Sequence, residues 1–123
     1  MTLDNVKIIK TGTNGNGLIT GQSNMTVNII NGSTIDVTGA TNKRVVYYHA
    51  ADITDIDITI SDSTIELGTD GCLAYFNNAT QTKMANNSIT ISGNTSSLTT
   101  KAEVQDLLKG TSVDQIKIHP WDD

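Results

Sequence analysis

The chain has 123 residues, 17% of them charged, and a formal net charge of −5; this length supports one core and a single domain. The acid excess, with no stripe of Lys or Arg, argues against nucleic acid and anionic membrane surfaces as partners, and no apolar run has the length of a membrane span. Cys72 is the only cysteine, so an intrachain disulfide and a cysteine-rich metal site are both excluded.

Thr, Asn, Ser and Gly number 19, 12, 9 and 10, and Ile alone numbers 15. Ile and Thr are β-branched and suit a pleated, half-buried surface. Asn, Gly and Ser tolerate or create tight turns. The composition therefore predicts many strands joined by many turns, and Cys72 reads as a small buried hydrophobe among them.

In chain order, Met1–Asn5 lacks the basic region and apolar run of a signal peptide. The expectation is a piece of a longer exported protein. Val6-Lys7-Ile8 opens the first alternating run, which predicts one buried face and one wet face. Turns are predicted at Asn14-Gly15-Asn16-Gly17, Asn31-Gly32, Thr69-Asp70-Gly71 and Asn77-Asn78.

Ser33-Thr34-Ile35-Asp36-Val37 recurs 30 residues later as Ser63-Thr64-Ile65-Glu66-Leu67, and Ser88-Ile89-Thr90-Ile91-Ser92 reads as a degenerate third copy. Val45-Val46-Tyr47-Tyr48 is echoed 28 residues later by Leu73-Ala74-Tyr75-Phe76. Ile8, Ile35, Ile65, Ile91 and Ile118 extend the register at gaps of 27, 30, 26 and 27. Such a period suits stacked coils whose equivalent positions form columns. The predicted fold is all-β, a right-handed parallel β-helix (a solenoid) over residues 1–123. An antiparallel sandwich is the alternative, favoured by the Asn-Gly hairpin signal.

Near the C-terminus, Thr100 and Glu103 form a capping box, Val104, Leu107 and Leu108 make an apolar stripe, and Gly110 supplies a stop. This predicts one short α-helix over 100–109 that covers an open side or end of the stack.

Chemistry-bearing residues are sparse. Asp52, Asp55, Asp57 and Asp62 cluster, with Asp55 and Asp57 expected on one strand face, but they match no calcium loop and read as a solvated surface. His49 and His119 have no second ligand at metal spacing. Arg44 is the only arginine, and Lys43-Arg44 reads as a solvated turn. Matches to Asn-x-Ser/Thr at Asn24, Asn31, Asn78, Asn86 and Asn94 are expected by chance in a chain this rich in Asn and Thr. No cofactor, metal or catalytic residue is predicted, and the chain is not expected to be an enzyme. Tyr47, Tyr48, Tyr75 and Phe76 are the candidate binding residues. In adjacent coils they would stack as a ladder, and one of each neighbouring pair should face outward to meet a sugar ring or a protein.

The segments Asn31-Gly32-Ser33-Thr34-Ile35-Asp36-Val37-Thr38-Gly39 and Asn87-Ser88-Ile89-Thr90-Ile91-Ser92-Gly93-Asn94 resemble, in style, the passenger regions of bacterial autotransporter adhesins. The resemblance covers roughly residues 5–98. It implies a β-helical stalk, secreted through a C-terminal barrel, that binds host cells or other bacteria. The expected function is an adhesin or structural module, extracellular or on the bacterial cell surface, whose partner is a protein or glycan on another surface. Self-association through open solenoid ends is a further expectation. The alternatives are a phage tail-spike or tail-fibre segment and a polysaccharide-degrading enzyme on the same fold.

Overall fold

Runs in which Ile alternates with Thr, Asp, Asn or Ser become strands, and the polar residues between them become corners. A computed structural model describes residues 1–49, 52–77, 84–85, 87–92, 108–110 and 116–119, and over these the chain is all-β with no helix. The strands are β1 (Thr2–Asp4), β2 (Lys7–Gly12), β3 (Ile19–Gly21), β4 (Thr26–Ile30), β5 (Thr34–Ala40), β6 (Arg44–His49) and β7 (Ile53–Thr54). They continue as β8 (Asp57–Ser61), β9 (Thr64–Glu66), β10 (Cys72–Asn77), β11 (Met84–Ala85), β12 (Asn87–Ser92), β13 (Leu108–Gly110) and β14 (Ile116–His119).

Consecutive strands do not pair with each other. They enter different sheets in a recurring order: β1, β4, β8, β12 and β14 make a five-stranded sheet, β2, β5 and β9 a three-stranded one, and β3, β6, β10 and β13 a four-stranded one. β7 and β11 form a fourth, two-stranded sheet. Every pairing among the described residues is parallel, which overturns the antiparallel-sandwich alternative there. Parallel partners need long connections between them. Here the connection is the chain's passage through the other sheets, so Thr2 pairs with Asn28, Asn28 with Thr59 and Thr59 with Thr90.

The in-register pairing builds apolar columns. Leu3, Ile29, Ile60 and Ile91 follow one another in the five-stranded sheet, and Val27, Ile58 and Ile89 form a second column beside them. Ile29, Ile58, Ile60 and Ile89 are fully buried. Each such side chain contributes about 1.5–3 kcal/mol over its exposed state. Thr59 and Thr90, between the buried positions, are half-exposed, so one face of this parallel sheet stays wet.

Corners are built from residues that accept a left-handed backbone. Asn5, Asn31 and Asp62 follow β1, β4 and β8 with φ of 51°, 57° and 47°. Asn24 and Asp55 precede β4 and β8 with φ of 63° and 58°. Short Asn and Asp side chains enter this region at lower cost than bulky ones. Inside the first corner lie the buried Ser33 and Ser63. Ser33 Oγ accepts from Val6 N at 3.2 Å, and Ser63 Oγ accepts from Ser33 N at 3.2 Å, so each hydroxyl satisfies the backbone of the preceding pass. Asn87 does the same elsewhere, accepting from Ile56 N and donating to Ile53 O.

The structure bears out one repeat and corrects three other expectations. The echo between Ser33–Val37 and Ser63–Leu67 is real, since β5 and β9 pair with Ile35 on Ile65. The third copy is not equivalent: β12 pairs with β8, so Ile91 stacks on Ile60 rather than Ile65, and Ile118 pairs with Ile89. An alternating Ser/Thr/Ile run looks the same in either sheet, which is why sequence merged the two columns. Asp55 and Asp57 do not share a strand face, because Asp55 occupies the left-handed corner before β8 while Asp57 opens the strand. The helix expected over 100–109 falls mostly on residues 100–107, outside the described residues. Its last two positions, Leu108 and Lys109, belong instead to β13, which extends the four-stranded sheet beside β10.

Candidate functional site

β6 reads Arg-Val-Val-Tyr-Tyr-His and β10 reads Cys-Leu-Ala-Tyr-Phe-Asn. Their register sets Tyr47 on Tyr75, Tyr48 on Phe76 and His49 on Asn77. Successive side chains on a strand point to opposite faces. The four candidate residues Tyr47, Tyr48, Tyr75 and Phe76 therefore divide into two ladders.

The inner ladder is Tyr48 on Phe76. Both are fully buried, and their rings stack with centroids 4.9 Å apart and planes within 4°. Gly21 lies opposite Tyr48 in β3, and a Cβ there would overlap the Tyr48 ring. Gly21 is the space the ring needs. The Tyr48 hydroxyl is buried and finds no hydrogen-bond partner among the described residues, and burial pushes its ionisation well above the ordinary range.

The outer ladder is Tyr47 on Tyr75, with ring centroids 5.8 Å apart and planes within 13°. Tyr47 is 7% exposed and Tyr75 is half-buried, so Tyr75 is the one candidate of the four with appreciable accessible surface. The Arg44 guanidinium carbon lies 3.9 Å from the Tyr75 centroid and 5.3 Å from that of Tyr47. That is cation–π distance. Arg44 Nη1 also donates to Asn16 O at 3.4 Å, which ties the guanidinium to the loop before β3. His49 continues the cluster. Its ring stacks on Tyr47 at 6.0 Å, and its Nδ1 lies 3.1 Å from the Tyr47 hydroxyl and 2.8 Å from Asn77 Nδ2.

Arg44, His49 and Asn77 are the members that sequence reasoning missed. Lys43-Arg44 was expected as a solvated turn, whereas Arg44 opens β6 and is half-buried against the tyrosines. Strand alternation alone gives no signal for it, since three residues before Tyr47 is an odd offset, and its contact with the Tyr75 ring depends on the neighbouring strand. Cys72, at the matching place in β10, is buried as expected.

The flanking strands continue the register. Thr20 pairs with Tyr47 on one side, and Lys109 pairs with Tyr75 on the other. None of the four strands of this sheet contains an acidic residue, although the chain carries 13. By contrast, the five-stranded sheet carries Asp4 and Asp57, and the three-stranded sheet carries Asp36 and Glu66. Asp36 is held ionised to lower pH than usual, first by the Thr38 hydroxyl at 2.6 Å and then by the Thr38 backbone N–H at 2.9 Å.

Among the described residues no group of three or more His, Cys, Asp or Glu could hold a metal ion. No helix among them is long and apolar enough to cross a membrane. Comparison with protein families, curated proteins and solved structures found no match to this chain.

Proposed function

We propose that the chain is a right-handed parallel β-helix, one domain of a longer secreted or surface-exposed bacterial protein, and that it acts as an adhesin or structural module rather than as an enzyme. Its partner is a protein or glycan on a host-cell or bacterial surface, met by a broad outer face and not by a deep pocket. The β-helix reading is supported by the recurring order in which strands enter the three larger sheets and by pairing across roughly one pass of chain. Right-handedness follows from the strong preference of parallel β crossovers. The style of the Ser/Thr/Ile repeats, similar to autotransporter passengers, supports the location and the adhesive role.

The observation that carries the functional reading is the outer ladder: Tyr75, backed by Tyr47 and held under Arg44, on a sheet face with no acidic residue. Aromatic residues and Arg recur where surfaces bind partners. The test is adhesion of beads coated with the chain to bacterial and epithelial cells. Capture that falls when Tyr75→Ala is introduced, and persists when Thr59→Ala alters the outer face of the five-stranded sheet, supports the reading. Absence of capture by the unaltered chain, or equal loss with both variants, contradicts it.

A second reading has its own observation. β1, β2 and β3 all lie at edges of their sheets, and Val6 and Ile9 beside them are 37% and 55% exposed. Unpaired strand edges are templates for further strands. Head-to-tail stacking of copies would satisfy them, and light scattering over a range of concentrations tests this: mass that grows with concentration supports assembly, and a constant monomer mass contradicts it.

A further inference from the structure

We infer that the outer face of the four-stranded sheet takes an anionic saccharide, one carrying carboxylate or sulfate groups, with Arg44 as the anion-binding group. This deepens the adhesin reading and rests on it. The first support is the charge distribution. In a chain of net charge −5, the four strands of this sheet contain no acidic residue, and Arg44 lies against the tyrosines of its outer face. A local basic surface on an acidic protein attracts anions to one place and repels them elsewhere.

The second support is the state of Arg44. Its guanidinium is already desolvated on one side by the Tyr75 ring and anchored to Asn16 O. Little side-chain freedom remains to be lost on binding. A guanidinium has five N–H donors in a planar fork that matches a carboxylate or sulfate. The third support is what surrounds it. Tyr75, half-buried and backed by Tyr47, offers apolar ring surface to sugar C–H groups, while the exposed Thr20 and His49 and the half-buried Asn77 offer donors and acceptors to sugar hydroxyls.

The test measures binding of the full chain to oligogalacturonate, to its carboxyl methyl ester, to oligosialic acid and to a sulfated uronate oligomer. The ester keeps the rings and removes the charge. The expected result is binding of at least one anionic oligomer, about tenfold tighter for the acid than for its ester. Arg44→Gln is expected to abolish that difference while near-ultraviolet circular dichroism remains native. Should Arg44→Gln fail to fold, the acid-to-ester ratio of the unaltered chain, and its fall with added salt, still decide the matter. Equal affinity for acid and ester overturns the inference, as does no binding to any anionic oligomer, or tighter uptake of a single-stranded oligonucleotide than of every saccharide. Cell capture that depends on Tyr75 but occurs without saccharide binding would overturn the saccharide alone and leave the adhesin reading standing.

Discussion

The two faces of the four-stranded sheet carry the same kind of ladder to different ends. Inside, Tyr48 and Phe76 stack 4.9 Å apart and are fully buried. Outside, Tyr47 and Tyr75 stack 5.8 Å apart under a cation, with Tyr75 half-exposed. One residue of offset along β6 and β10 separates the two roles. The inner rings fill volume, so their value is measured in stability. Outside, Tyr75 and Arg44 keep part of their surface in contact with solvent, so the value of this ladder is measured in binding.

The largest effect that sharpens this contrast is Phe76→Ala. It removes a fully buried ring and is expected to cost about 3–5 kcal/mol, a large share of the stability of a domain this size. Urea unfolding measures it, and a cost under about 1 kcal/mol would mean that the inner ladder is not core. Gly21→Ala is next. The added methyl meets the Tyr48 ring, and overpacking of this kind is expected to cost about 1–3 kcal/mol in the same experiment.

Tyr48→Phe should move stability the other way. The buried hydroxyl has no partner among the described residues, so deleting it while keeping the ring is expected to raise stability by about 1 kcal/mol. A loss instead would show that the hydroxyl is bonded in solution.

The smallest effect lies on another sheet. Asp36 has a depressed folded-state pKa, chiefly through the Thr38 hydroxyl. Its stabilising contribution is present above its ordinary value of 3.8 and is lost as pH falls through the lower folded value. Carboxyl titration by NMR should show Asp36 titrating below 3.8, and Thr38→Val should move it back upward by removing the larger of the two donors. The ladder at Tyr47 and Tyr75 should not respond to that substitution.

Much of this organisation was legible in the residues. The two echoed segments Val45–Tyr48 and Leu73–Phe76, 28 residues apart, pair in register, and Ser33-Thr34-Ile35 lies on Ser63-Thr64-Ile65 in the same way. In both cases equal spacing reflects equal position in a repeated path. The sequence misled where one pattern serves two sheets: Ser88–Ser92 has the Ile alternation of β9 but the pairing of β8. The packing of Arg44 is not legible locally, because its partners, Tyr75 and Asn16, lie 31 and 28 residues away along the chain and meet it only through the register. Capping and periodicity near residue 100 are local signals, and at Leu108 and Lys109 a free strand edge on β10 prevailed over them.

The most direct test compares Tyr75→Ala with Phe76→Ala, adjacent residues on opposite faces of β10, in one experiment that records thermal unfolding and cell-surface capture together. Tyr75→Ala is predicted to lose capture while its unfolding temperature stays near that of the unaltered chain, and Phe76→Ala to lose stability first and capture only as a consequence. Full capture by a folded Tyr75→Ala chain would contradict the assignment of the outer ladder as the binding face.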